Sequence, residues 1–287
     1  VQAANGVIDL VVEDEAEATA KAKALLGLFQ GRLAQWEATD QRVLRHIIPE
    51  NRVRTFDVRR VIEALTDTAS FIELRRGFAS GMITGFARFE GRPVGLIAND
   101  NAVMSGVIDS DGADKASRFM QLCDAFGLPI VSLCDTPGFM VGPDSEATAS
   151  VRHGSRMFIT SQSLKVPFIT IVLRKGYGLG AQAMAGGALA AGGLTIAWPT
   201  GEFGGMGLEG AVRLGYRREL EAITDPSERE SRYQALVASM YAAGKAISIA
   251  RALEIDAVID PAETRRWIAQ ALAGAAPQRN PRMIDSW

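Results

Sequence analysis

The sequence predicts an α/β protein assembled from strand–helix–strand units. Two observations carry that expectation. Short apolar, β-branched runs alternate along the chain with longer stretches whose apolar residues recur at helical spacing. With 47% apolar and 22% charged residues, the 287-residue chain also holds enough hydrocarbon to bury a large core.

In chain order, Gly6 to Asp14 reads as a short strand and Glu15 to Phe29 as a helix with Ala18, Leu25, Leu26 and Phe29 at helical spacing. Residues 30–55 are polar and charge-rich, with Pro49-Glu50-Asn51-Arg52 as a linker. Asp57 to Thr66 is an amphipathic packing helix with Val58, Val61, Ile62 and Leu65 on one face. Met82–Phe89 and Val94–Ala98 form a hairpin through Glu90-Gly91-Arg92. After a polar loop from Asn99 to Gly112 come a helix (Ala113–Phe126), a buried strand (Ile130–Cys134) and a tight turn, Asp135-Thr136-Pro137-Gly138-Phe139. A helix from about Ala147 to Ser163 leads to the strand Phe168–Leu173. Arg174-Lys175 and three glycines (Gly176, Gly178, Gly180) follow, then a small-residue helix.

Leu194 to Trp198 is a further apolar run, and Pro199 to Gly210 is a glycine-rich loop opening a helix. Ser227 to Leu253 is helical with a break at Ala243-Gly244. The strand Ile255–Asp260 precedes Asp260-Pro261-Ala262-Glu263, an N-cap with proline at the first helical position, and a helix to about Ala273. A strand followed by a helix at both ends suggests two tandem copies of one domain type, the first represented only by its tail. The chain is therefore expected to begin inside something larger, or beside a separately encoded partner.

Composition narrows the function. A net charge of −2 gives no basic footprint for nucleic acid or an anionic membrane. Two cysteines, Cys123 and Cys134, fit a reducing compartment, and their places on a helix and a buried strand mark them as small buried hydrophobes. Two distant histidines, His46 and His153, argue against a Cys/His metal cluster or a His-based triad. Nothing in Val1–Gly6 resembles a cleavable signal.

The stretch from Val166 to Gly193 is where chemistry is most expected. Glycines between a strand end and a helix start let backbone N–H groups approach a ligand, and the helix N-terminus adds partial positive charge. A dinucleotide reading of Gly178-Leu179-Gly180-Ala181-Gln182-Ala183 wants an acid closing the next strand, and Glu202 lies only beyond Pro199-Thr200-Gly201. A membrane span is contradicted by Gly186-Gly187, Gly192-Gly193 and Pro199. An oxyanion hole remains, beside the plainer possibility that the glycines only let the helix pack on the sheet. Glu202 and Glu209 are conceivable general acids, though solvated or helix-capping roles are expected for both.

Together these segments resemble the carboxyltransferase (β) subunit of biotin-dependent acyl-CoA carboxylases, the propionyl-CoA carboxylase β type, in the crotonase superfamily. The resemblance runs from about residue 50 to the end. It is carried by DVRRVIEALTD (57–67), GFARFEGRPVGLIAN (85–99), ADKASRFMQLCDAFGLPIVSLCDTPGF (113–139), VRHGSRM (151–157), VPFITIVLRKGYGLGAQAM (166–184) and AWPTGEFGGMGLEGAV (197–212). It implies a ClpP/crotonase-like ββα superhelix. Residues 1–50 would be the tail of an N-terminal carboxyltransferase domain plus linker, and 51–287 the biotin-facing C-terminal domain. The implied reaction moves a carboxyl group from carboxybiotin to the α-carbon of an acyl-CoA. A biotin-dependent acyl-CoA decarboxylase subunit, or a non-catalytic assembly domain completing another subunit's site, are the alternatives.

By position, the resemblance makes the backbone amides of Leu179 and Gly180 the oxyanion hole for the biotin carbonyl. Gly178, Gln182, Thr136, Pro137, Gly138, Phe139, Gly205, Met206 and Gly207 would line the biotin and acyl-CoA sites. The family's Gly-Gly-Ala-Tyr-Asp stands here as Gly178-Leu179-Gly180-Ala181-Gln182. An amide donor survives the leucine, whereas Gln182 points to a different acyl preference. Biotin on a carrier and a coenzyme A thioester, with no metal, are the implied cofactors. The implied partners are the N-terminal carboxyltransferase domain, a biotin carboxylase and biotin carboxyl carrier subunit, and further copies of the chain, in the cytoplasm.

Overall fold

The computed structural model describes residues 1–190, 193–275 and 280–285; Gly192 of the small-residue run lies outside them. Helix α1 (Glu15–Leu28) starts where the Asp14 carboxylate accepts the Glu17 N–H, and α2 (Val58–Leu65) starts where Asp57 accepts from Arg59. Each aspartate satisfies a donor that the first helical turn leaves unpaired. All four apolar residues read on one face of α2 are buried.

Eight strands make one mixed sheet. β1 (Ile72–Leu74), β2 (Met82–Phe89) and β3 (Arg92–Asn99) run antiparallel; β4 (Ile130–Thr136), β5 (Phe168–Tyr177) and β6 (Leu194–Ala197) continue in parallel from β3. The strand β7 (Glu202–Gly204) pairs with the far end of β5, and β8 (Ala257–Val258) closes the sheet beside β6. The β2–β3 hairpin turns on Glu90 and Gly91, with φ of +50° and +76°, the two positive values that match the twist of the flanking strands.

Alternate residues of the parallel strands feed two cores, as a period of two requires. On one face Ile97, Cys134 and Val172 meet Phe119, Met120 and Met157 of α3 (Ser110–Phe126) and of α5 (Ser150–Gln162), which follows the short α4 (Pro143–Ala147); α6 (Gly178–Met184) packs on the same side. Beyond β7, α7 (Leu208–Gly215), α8 (Arg217–Ala222) and α9 (Pro226–Ala243) share a small cluster of their own, and α10 (Ala246–Arg251) leads to β8. On the other face Leu96, Leu133 and Ile171 meet α2 and α11 (Thr264–Gly274). No helix among the described residues is long and apolar enough to cross a membrane.

Four expectations need correction. Gly6–Asp14 is not a strand: the one sheet-like bond it makes to the body is from the Arg75 N–H to the Asp9 carbonyl, and Val7, Ile8 and Val11 are exposed. A three-residue β1 offers too little edge for the alternating pattern to pair with. The echo between the two chain ends therefore rests on the helices alone. The helix expected over about 147–163 is present but starts later, at Ser150 after Ala149, where φ is +57°, and the short α4 precedes it. β5 runs past its apolar part through Arg174-Lys175, and the loop 199–210 contains β7.

Candidate active site

Parallel pairing of β3, β4 and β5 brings the loops that follow them to one edge of the sheet, where α/β proteins build sites. Short bonds weld the three loops. The Asn99 side chain accepts the Asp135 N–H at 3.1 Å. The Lys175 ammonium donates to the Ser105 carbonyl at 2.5 Å. Ile108 donates its N–H to the Gly138 carbonyl at 3.0 Å and accepts from Met140 at 2.8 Å.

The tip of α6 sits in this frame. A helix beginning at residue 178 has no acceptor one turn back for the N–H groups of its first residues. The Leu179 and Gly180 amides donate to nothing else among the described residues. Close approach dictates the glycines: a Cβ on Gly180 would lie 2.7 Å from the Gly138 Cα and 2.8 Å from its carbonyl carbon. At Gly178, φ is +57° and a Cβ would lie 2.7 Å from the Gly205 carbonyl oxygen.

Six residues singled out in the sequence thus meet at one place: Gly138, Phe139, Gly178, Leu179, Gly180 and Gly205. Met206 and Gly207 follow directly, with Met206 42% exposed. Pro137 is half-buried in the turn. The Thr136 hydroxyl is occupied within that turn, accepting the Gly138 N–H at 3.1 Å and donating to the Gly138 carbonyl at 3.2 Å. Gln182 is half-buried on α6, and its side-chain amide makes no hydrogen bond among the described residues. From the tip an apolar groove of about 460 Å³ runs between Phe139, Met140, Val151, Gly154, Phe158 and Leu179.

Three features went unread in the sequence. The basic pair Arg174-Lys175, inside β5, is a clamp. Arg174, 3% exposed, pairs with the fully buried Asp135 at 2.9 Å and donates to the linker carbonyls of Arg52 (2.9 Å) and Arg54 (2.7 Å). Burial pushes the Lys175 amine down from its ordinary range, partly offset by Asp135 4.0 Å away. The second feature concerns the two carboxylates of the glycine-rich loop, each of which accepts from a tyrosine: Glu202 is half-buried, whereas Glu209 is solvent-exposed in the first turn of α7, as expected. Tyr177 donates to Glu202 at 3.0 Å, and Tyr241 to Glu209 at 2.7 Å. Burial, then Glu209, pushes the Tyr241 phenol up to about 12. Thirdly, Asn101 pairs with both the N–H and the carbonyl of Phe56, seating the linker. These are pairings across tens of residues, which no local pattern announces. The cysteines behave as read: both are buried, and burial pushes the Cys134 thiol up to about 12.

Parallel strand ends, a glycine-tipped helix with two unpaired amides, and a self-closed turn locked against it define a scaffold for stabilising negative charge on oxygen. Residues 1–284 match the carboxyl transferase domain, and the chain belongs to that family. It is 38% identical, over 98% of its length, to the methylmalonyl-CoA carboxyltransferase 12S subunit of Propionibacterium freudenreichii subsp. shermanii, covering 54% of that protein. Among solved structures, it resembles a single-chain, multi-domain long-chain acyl-CoA carboxylase with a TM-score of 0.87 at 54% identity, over 94% of this chain and 26% of that one. It resembles the hexameric transcarboxylase 12S, solved with methylmalonyl-coenzyme A and methylmalonic acid bound, with a TM-score of 0.85 at 35% identity, over 98% of this chain and 55% of that one. The α/β fold is the crotonase-like one of these carboxyltransferases. The chain spans about half the length of the curated relatives it matches.

Proposed function

We propose that this chain is the biotin-facing part of an acyl-CoA carboxyltransferase, in which a carboxyl group passes from carboxybiotin to the α-carbon of an acyl-CoA. Residues 51–287 form its C-terminal domain, and residues 1–50 the tail of an N-terminal domain plus linker. The pair of unpaired amides at Leu179 and Gly180 carries this reading. Close packing of Gly180 on the Gly138 backbone, which any Cβ would prevent, supports a fixed placement of those amides for the planar ureido carbonyl of biotin.

When bound, carboxybiotin supplies the carboxyl group as CO2 and a ureido nitrogen that takes the α-proton of the thioester. The chain's own task is electrostatic. The Leu179 and Gly180 N–H groups hold the ureido oxygen as it gains negative charge, each worth about 3 kcal/mol in the transition state. Phe139, Leu179 and Met206 give the tip an apolar surround, and the lower polarity there once substrate covers it strengthens those bonds. Gly178 and Gly205 fix the first turn of α6, Thr136 closes the turn that carries Pro137 and Gly138, and Gly207 opens α7 at the rim. Gln182 lines the acyl side. In this reading the N-terminal domain holds most of the coenzyme A, a biotin carboxylase with its carrier delivers biotin, and the enzyme works as a homo-oligomer in the cytoplasm.

The test is Leu179→Pro in the full-length protein, since proline is tolerated in a first helical turn and removes the N–H, with Leu179→Ala as the control for the lost side chain. Carboxyl transfer from carboxylated biotin to propionyl-CoA should fall by about 10²–10³. Coenzyme A thioester binding, measured by calorimetry, should persist. Leu179→Ala, which keeps the donor, should lose far less. Undiminished transfer by a folded Leu179→Pro protein refutes the assignment.

A further inference from the structure

We propose that Tyr177 and Glu202 are positioning residues: the bond between them holds β7 and its turn under the first turn of α6, and so sets where the Leu179 and Gly180 amides point. This rests on the reading of those amides given above.

Tyr177 is the last residue of β5 and the N-cap of α6, yet its side chain gives the helix no capping bond. Instead the ring is buried, 4% exposed, and its hydroxyl donates to the Glu202 carboxylate at 3.0 Å. Glu202 opens β7, which pairs residue for residue with the end of β5: Lys175 with Glu202, Gly176 with Phe203, Tyr177 with Gly204. One residue further, the Gly205 carbonyl meets Gly178, the first residue of α6. The tyrosine therefore reaches back across the short ladder to lock the strand whose turn forms the floor of its own helix.

A second side-chain bond, from the Thr200 hydroxyl to the Leu173 carbonyl at 2.6 Å, ties the start of the same loop four residues short of Tyr177. Backbone bonds hold the other side of β7, from the Phe203 N–H to the Gly244 carbonyl at 2.8 Å and from the Ala246 N–H to the Gly201 carbonyl at 2.9 Å, so Tyr177–Glu202 is the side-chain bond that ties β7 to the end of β5 from which α6 starts. Burying a phenol and a carboxylate is costly unless they pair, and an apolar pair would have served packing alone. Burial and the neighbouring Glu202 charge push the phenol's pKa upward, so it stays a donor across the working pH range.

The array also reaches the linker. Tyr241 sits beside Tyr177 and donates to Glu209, and the Arg52 guanidinium lies 3.4 Å over the Tyr241 ring.

In the full-length protein, Tyr177→Phe and Glu202→Ala should each lower kcat for propionyl-CoA carboxylation about tenfold, at the low end of losses caused by removing a group that orients another. KM for propionyl-CoA should stay within about twofold, because the interaction lost acts on the transition state. Glu202→Gln keeps an acceptor for the hydroxyl and should recover most of the rate that Glu202→Ala loses. The double variant Tyr177→Phe/Glu202→Ala should be no slower than the slower single one. Should Tyr177→Phe be unstable, the Glu202→Gln and Glu202→Ala pair decides alone. Wild-type kcat in Tyr177→Phe, additive losses in the double variant, or no rescue by glutamine each overturns the proposal. Leu179→Pro, assayed alongside, separates the two readings. If it abolishes transfer while Tyr177→Phe does not slow it, only the positioning role falls; if it leaves transfer intact, the amide reading falls and this proposal with it.

Discussion

Replacing Gly180 with alanine perturbs the site without removing a single hydrogen-bonding group. The new Cβ would stand 2.7 Å from the Gly138 Cα and 2.8 Å from its carbonyl carbon, backbone atoms that cannot rotate away. Restoring a contact of 3.4 Å requires the α6 tip and the Gly138 turn to separate by about 0.7 Å. A misplacement approaching 1 Å costs on the order of a hundredfold in rate, about 2.7 kcal/mol. Stability should move less. Overpacking costs about 1–3 kcal/mol, whereas alanine gains about 1 kcal/mol over glycine within a helix. Gly180→Ala should therefore lower kcat for propionyl-CoA carboxylation about a hundredfold, while its unfolding free energy in urea falls by no more than about 2 kcal/mol. Wild-type turnover with an unchanged unfolding free energy would show that the tip is not pinned against Gly138, and the geometric reasoning would fail.

Other consequences are as concrete. Gln182→Asp should shift the acyl-CoA chain-length profile measured with acetyl-, propionyl- and palmitoyl-CoA; identical profiles would remove Gln182 from the acyl pocket. Asp135→Asn leaves the Arg174 guanidinium buried without its counter-charge, so unfolding free energy in urea should drop by about 3–5 kcal/mol. A drop below about 1 kcal/mol would mean that the clamp is dispensable. Lys115 is almost fully buried, and burial pushes its amine down to about 8 from the usual 10.5. Between those values the unfolded chain holds the proton more tightly, so the lysine's contribution to stability rises with pH from about 8 to 10.5. The stability difference between wild type and Lys115→Met should accordingly move in favour of wild type from pH 7.5 to 9.5; a flat or opposite trend contradicts the burial effect.

Much of this was legible in the residues because its causes are local. Asp14, Asp57 and Asp260 each precede a helical run and each accepts a first-turn N–H. The β2–β3 hairpin follows from Gly91 between two apolar runs, and the glycine-spaced tip at 178–180 from a strand that ends in glycines. What escaped has non-local causes. β1 and β7 are three residues each, too short for a period of two to register. The N-terminal alternation Val7 to Val12 has the strand pattern but no partner long enough to pair with. Nothing local marks Arg174 as buried, because its partner Asp135 is 39 residues away. Tyr177 and Glu202 meet only once β7 has folded back on β5.

Glycines at 178 and 180 have no side chains with which to steer the backbone, so the aim of the amides proposed above as oxyanion donors must come from what surrounds them. Each surrounding wall is fixed by a side-chain hydrogen bond away from the tip itself. Thr136 closes the turn beneath Gly180, Asn99 and Arg174 hold Asp135 at the root of that turn, and Glu202 locks the strand that brings Gly205 beneath Gly178. Sensitivity to substitution should therefore be displaced outward from the tip. Thr136→Val, which is close to isosteric, removes only the hydroxyl that accepts the Gly138 N–H and donates to the Gly138 carbonyl. It leaves a buried amide unpaired, at about 1–3 kcal/mol, and frees the turn to drift from Gly180. Its effect on kcat should exceed that of truncating the exposed Leu179 side chain to alanine, although Leu179 lies at the tip and the Thr136 hydroxyl is spent within its own turn. Steady-state rates of the two variants side by side test that ordering, and the reverse ranking would mean that the tip holds its own geometry.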